Sequence, residues 1–246
     1  MQTECNSRQL EFQGVGRRGV VGKFDGGNIT SEAGGLLLRE VDDRLKISKR
    51  CAGCFTDYRN AKSIEHEVEA LVRQRIYGIA LGYEDLNDHD DLRSDPLLAV
   101  LCGKEDPTGS KRKDRRDRGK ALAGKSTLNR MELTEEKAEE KNRYKKIKCN
   151  GQEVDELLVD LFLDSFKRVP RRIILDVDAT DDVIHGNQEG RFFHGYYKNY
   201  CYLPLYVFCE DHLLCARLRP SNIDASEGTV EPLFKKGLNV FFVIYY

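Results

Sequence analysis

The 246-residue sequence has no run of about 18 or more apolar residues, which leaves no segment able to cross a membrane as a helix. It also lacks a basic start followed by an apolar stretch. MQTECNSRQLEFQG therefore carries no secretory signal pattern, and a cytoplasmic protein is the expectation. Cys51 and Cys54 form the one CxxC, and no second ligand pair accompanies them. His66 follows without a partner His at zinc-site spacing, so two small, partly buried thiols are expected rather than structural zinc. The eight cysteines are scattered, which favours reduced thiols over a disulfide framework. The acidic stretch of Glu84, Asp85, Asp88, His89, Asp90 and Asp91 lacks the spacing and central Gly of a calcium loop, and reads as a helix turn with exposed acids. No internal repeat is visible.

What is present is the composition of a soluble globular chain, 40% hydrophobic and 33% charged, long enough for one large domain or two modest ones. The formal net charge of −1 hides local asymmetry: GSKRKDRRDRGK, residues 109–120, carries seven Lys or Arg against two Asp.

The first half reads as mostly helical. Leu36, Leu37, Leu38, Val41 and Leu45 form an expected buried stripe behind a cap at Thr30 or Ser31. From Ile64, the residues Val68, Leu71, Val72, Ile76, Ile79 and Ala80 mark one face of a helix ending at Gly82. Asp95-Pro96 caps a third helix, which closes on Gly103, and Ser126 or Thr127 is the expected cap of a fourth. Between those two lies a basic loop, residues 104–125, expected to be exposed and mobile when unbound. Residues 134–150 read as a solvated helix or connector. Val154, Leu157, Leu158, Leu161, Phe162 and Phe166 form a further amphipathic helix ending before Pro170.

There the pattern changes to short β-rich runs: RRIILDVDA, then YCYLPLYVFCED and HLLCARLRP as a hairpin across Glu210-Asp211, then a short helix within SEGTVEPLFKKG, then VFFVIYY. The expected fold class is α/β: a helical region, residues 1–168, followed by a mixed-sheet domain, residues 169–246.

The IILDVDATDD stretch holds the sharpest chemical signal. In a strand through Thr180, Asp176, Asp178 and Thr180 share one face while Leu175, Val177 and Ala179 share the other. Two adjacent carboxylates in so apolar a run suit a divalent cation with hard oxygen ligands. A strand stopping at Val177, with the later aspartates in a turn, fits the periodicity equally. His185 and His194 flank a Gly-rich turn and suit either acid–base or structural roles. The aromatic run Phe192, Phe193, Tyr196, Tyr197, Tyr200, Tyr202 and Tyr206 suits base stacking or strand-face packing.

Longer blocks carry a resemblance. FDGGNITSEAGGLLLREVD, CFTDYRN, IEHEVEALVRQRIYGIALGYEDLNDHDDLRSDPLL, LAGKSTLNRMEL and DVDATDDVIHGNQEGRFFHGYYKNYCYLPLYVFCEDHLLCARLRPSNIDA resemble bacterial insertion-sequence transposases of the DDE class, from about Lys23 to about Pro232. The resemblance implies a helical DNA-binding and assembly region before an RNase H-like catalytic core. It also implies two Mg²⁺ ions, held by two Asp and one Glu, that support cutting at transposon ends and joining to target DNA. Asp178-Ala179-Thr180 matches the family's first Asp, with Asp176 a close second. Lys111, Arg112, Lys113, Arg115, Arg116 and Arg118 would meet DNA phosphates.

The sequence also departs from the family pattern. GLNVFFVIYY stands where a fourth strand is expected but contains no acidic residue, and the blocks with the second Asp and the Glu are not in the sequence. Asp224, Glu227 and Glu231 match no family motif. The expectation is therefore a truncated transposase, inactive alone, with Mg²⁺ binding weak or absent and an aggregation-prone apolar run at 240–246. A non-catalytic DNA-binding or assembly module is the alternative. Expected partners are transposon-end and target DNA, together with further copies of the chain or a full-length transposase, and no membrane.

Overall fold

Asp95-Pro96 sets the pattern of the helical half, where short helices are held by local caps. The computed structural model describes residues 10–22, 31–135, 137–168, 170, 172–228 and the backbone of 242–245. The chain divides into two units, Met1–Asn150 and Gly151–Tyr246.

The first unit opens with the hairpin β1 (Leu10–Val15) and β2 (Arg18–Gly22). Helices α1 (Gly35–Leu45) and α2 (Ile47–Gly53) lead to β3 (Phe55–Asp57). Next come α3 (Val68–Ala80), α4 (His89–Leu92), α5 (Pro96–Leu101) and α6 (Lys125–Glu132), and β4 (Ile147–Cys149) closes the unit by pairing antiparallel with β3. Helix α3 is the hub. Tyr77 packs with Leu98, Leu101 and Leu122 in one cluster, and Leu71 and Val72 pack with Leu128, Met131 and Ile147 in another. Between the clusters, Gln74 bonds both the N–H and the carbonyl of Ala123, at 3.0 and 2.7 Å.

Several expectations hold in detail. Asp95 accepts from the N–H groups of Leu97 and Leu98, at 2.7 and 3.2 Å, and Gly103 beyond α5 has φ +76°. Others are corrected. Helix α6 starts behind Gly124 with no side-chain cap of its own, since the Asp90 carboxylate takes the Lys125 N–H from across the fold. The segment 134–150 is neither a helix nor a bare connector: it ends in β4, whose Ile147 is fully buried.

Helix α1 is the largest correction. Leu37, Leu38, Val41 and Leu45 face solvent, while Gly35, Arg39, Asp42 and Asp43 are buried. Ser48 gives Asp42 two hydrogen bonds, from its N–H and its hydroxyl, and the Tyr77 hydroxyl gives a third. Arg73 pairs with Asp43 at 2.8 Å, and Arg39 donates to the carbonyls of Gln13 and Gly14 in the hairpin. A 3.6-residue period identifies a stripe, but partners from elsewhere decide which stripe turns inward. Thr30, one of the two expected caps, lies outside the described residues, and α1 starts behind Gly34 with no side-chain cap while the Ser31 hydroxyl donates to Glu32.

In the second unit, α7 (Gly151–Asp164) lies against a sheet built from β5 (Ile173–Ala179), β9 (Leu205–Cys209), β10 (His212–Arg217) and β11 (Phe242–Tyr245). The strand order is β10-β9-β5-β11, antiparallel except for β11, which runs parallel to β5. Phe162 of α7 packs with Ile173, Leu175, Val207 and Leu214, and Asp155 holds Arg217 of β10. A three-stranded sheet, β6 (Asp182–Val183), β8 (Asn199–Tyr202) and β7 (Phe192–His194), stands between β5 and β9 in the chain. This divides the expected run YCYLPLYVFCED at Leu203-Pro204, putting its start and its end in different sheets. Most of the expected helix in SEGTVEPLFKKG lies outside the described residues. Among the described residues, no helix is long and apolar enough to cross a membrane.

Candidate functional site

Strand β5 has β11 registered against Ile173–Asp176 on one side and β9 against Asp176–Ala179 on the other, so Asp176 stands where both neighbours meet it. Its burial alternates: Ile173 and Leu175 point into the α7 side, whereas Ile174, Asp176 and Asp178 are exposed. The strand runs through Ala179, which settles the alternative left open by periodicity. Asp176 and Asp178 share one face, one strand repeat of about 6.6 Å apart. Asp178 stands opposite Tyr206 and Asp176 opposite Phe208.

Neither carboxylate has a side-chain hydrogen bond or ion pair among the described residues. No group of three or more Asp, Glu, His or Cys side chains placed to hold a metal occurs among them either. Asp176 shares an open depression of ≈ 430 Å³ with Arg172, Ile174 and Glu210. Sequence reading placed Glu210 only in a hairpin turn. Its φ of +53° and its position two residues past Phe208, the partner of Asp176, bring it to this depression, and pairing register is the signal that could have found it.

The turn after β7 comes to the other end of the strand. The Tyr197 hydroxyl is 3.5 Å from the Ala179 carbonyl, and the His194 and Tyr197 rings lie 4.9 Å apart. Desolvation raises the Tyr197 pKa, and Asp181, Tyr196 and Asp178 add to it in that order. Asp182 belongs to β6, opposite Tyr202, rather than to a turn. Phe193 and Tyr200 pair edge-to-face on the small sheet, with the Arg191 guanidinium 4.7 Å from the Tyr200 ring centre. His185 is exposed.

The basic loop belongs to the first unit and is folded on itself. Gly119 N–H bonds the Gly109 carbonyl, and Asp106 collects Thr108, Ser110 and the Lys111 N–H. Gly109 has φ +64°, and a Cβ there would meet the Ala121 N at 2.7 Å, so this closure requires glycine. Lys111, Lys113, Arg115, Arg116 and Arg118 are exposed, with Arg116 paired to Asp114. Arg112 instead turns inward onto Glu65, the His66 ring and the Lys120 carbonyl. Buried His66 thus has Lys104 at one ring nitrogen and Arg112 at the other, and desolvation with these cations lowers its pKa to about 3.

The acidic stretch is structural. Asp85 caps its own turn through the Asn87 N–H, His89 is buried against Gln74, and Asp90 serves α6. At the CxxC, Cys54 is buried, and burial pushes the Cys51 thiol up to about 11.

The sequence matches the family described as transposase DDE domain group 1 over residues 12–238. This chain is a DDE transposase family member. The match spans both units, so the helical half belongs to the family domain as much as the sheet does. No curated protein and no solved structure matches the chain.

Proposed function

We propose that this DDE transposase family member acts on DNA at transposon ends, with Asp178 and Asp176 as its metal-facing carboxylates and the loop at 111–118 as a phosphate-binding surface. The observation that carries the reading is the unpartnered Asp176–Asp178 pair on the exposed face of an interior strand whose other face is core. The strand order supports an RNase H-like core: a first strand β5, antiparallel β9 and β10 beyond it, and β11 parallel on its other edge. Taking residues 1–168 as a DNA-binding and assembly region and 169–246 as the catalytic part belongs to the same proposal.

The donor set fits Mg²⁺, since the two side chains offer only hard, solvent-reachable oxygens and neither has an ion pair among the described residues. When bound, such ions activate an attacking hydroxyl and stabilise a departing oxygen in phosphoryl transfer. The protein's part is positional. The paired strand keeps both carboxylates at fixed spacing, and Tyr197 packs at the end of the strand nearest Asp178. Lys111, Lys113, Arg115 and Arg118 would take phosphates of the same DNA, giving affinity without sequence readout.

Two carboxylates are fewer than a two-metal site needs, so the chain alone is proposed to bind Mn²⁺ and DNA without joining strands. The test is Mn²⁺ binding followed by paramagnetic resonance, together with strand transfer on transposon-end DNA. Binding that falls about tenfold or more in Asp178→Asn supports the assignment. Strand transfer by the unsubstituted chain, or Mn²⁺ binding unchanged in Asp178→Asn, overturns it.

The outward basic loop favours a second reading, a non-catalytic module that modulates a full-length transposase by occupying its ends or joining its assembly. That reading predicts inhibition of a full-length enzyme by the Asp178→Asn chain that persists when end DNA is in excess, through mixed assembly, whereas the first predicts that excess end DNA relieves it.

A further inference from the structure

Helix α1 presents its apolar side outward. Leu37, Leu38, Val41 and Leu45 are 63%, 39%, 51% and 51% exposed, and 37, 41 and 45 follow one another at single-turn spacing. The rotation is held by the inward side, where Asp42 takes three hydrogen bonds, Asp43 pairs with Arg73, and Gly35 packs directly against Leu101. Turning the leucines inward would break every one of these contacts. Glu40 and Arg44 border the stripe on its solvent side, 3.5 Å apart, with the Arg44 side chain 73% exposed.

The geometry points to a second copy of this chain as the occupant, its α1 lying antiparallel across the first about a two-fold axis near Val41. In that arrangement Leu37 of one copy meets Leu45 of the other, and the apolar stripe covers itself. Glu40 and Arg44 of both copies then line one edge of the seam, and Glu40 of each copy lies about 3 Å along the axis from the level of Arg44 of the other, within ion-pair reach. A parallel pairing would instead set these residues against Leu38 and the side of the helix that enters the core. DNA offers nothing to four aliphatic side chains, and a self-complementary border selects the same chain over an unrelated protein. The inference deepens the self-association part of the proposed function by naming its surface, and is independent of the carboxylate and loop assignments. A seam about 16 Å long lies at the small end of specific interfaces, so the association is concentration-dependent.

Sedimentation velocity of the full chain across a concentration series tests this, with circular dichroism to verify folding. The wild type should dimerise, and Val41→Glu should weaken the dimer at least about tenfold while leaving the spectrum unchanged. Glu40→Arg and Arg44→Glu should each weaken self-association by placing like charges across the seam. Mixing those two variants should restore a heterodimer, because both pairs become complementary again. A monomer at every concentration overturns the proposal. So does association that survives Val41→Glu, as would follow from contact through the second unit, or mixed variants that fail to recover. Metal or DNA binding lost without change in the dimer would overturn the proposed function alone.

Discussion

Asp42 is buried and surrounded by the Ser48 N–H, the Ser48 and Tyr77 hydroxyls and, at 3.6 Å, Arg73. Asp42→Ala would strand those donors and should destabilise the first unit by about 3 kcal/mol or more, read from denaturant midpoints. His66 makes a pH prediction. Its folded pKa near 3 lies below the usual histidine value of 6.5, so as pH falls below about 6.5 the unfolded chain takes up a proton that the folded chain refuses. Stability is therefore full above that pH and declines toward pH 3, with the buried His89 shifted in the same direction. His66→Asn should flatten the decline in urea midpoints measured from pH 7 to pH 4. At this scale the sequence was legible where a residue acts on near neighbours, as with Asp95 capping α5 or Asp176 and Asp178 alternating along β5. Asp42 and Asp43 were not legible, because their partners Tyr77 and Arg73 lie 35 and 30 residues away.

At the level of elements, the basic loop is a folded excursion with its charges sorted. Neutralising Lys111, Lys113, Arg115 and Arg118 should weaken DNA binding and reduce the salt slope by about 0.9 for each phosphate contact removed, as read by fluorescence anisotropy at several salt concentrations. Arg112→Ala should act differently, lowering stability with little change of slope, because that guanidinium anchors the loop to Glu65 and His66. Charge density identified the loop in the sequence, but only tertiary contacts distinguish the inward arginine from its neighbours. The small sheet β6-β8-β7 was illegible for a related reason. Its strands are two to four residues long, too short for a period to register, and Leu203-Pro204 lies inside what read as one run.

For the whole molecule, the change from helical to β-rich character was visible in composition, while the grouping of α7 with the sheet depended on Phe162 meeting Val207 and Leu214. Between α6 and β4 the chain carries exposed Lys137, Lys141 and Lys145 without regular structure. Limited trypsin digestion should cut there first. The β3–β4 pairing spans the cut, so the two pieces should separate on a denaturing gel and co-elute under native conditions.

Strand β5 combines two conditions seldom met in one residue. Its first half is registered to β11 and its second half to β9, while its Asp176 and Asp178 side chains stand in water. Deuterium uptake separates them: amides of Leu175 and Val177 should exchange among the slowest of the second unit, and those of the loop 186–190 among the fastest. The carboxylates would then hold their spacing for as long as the slowest-opening part of the sheet stays closed.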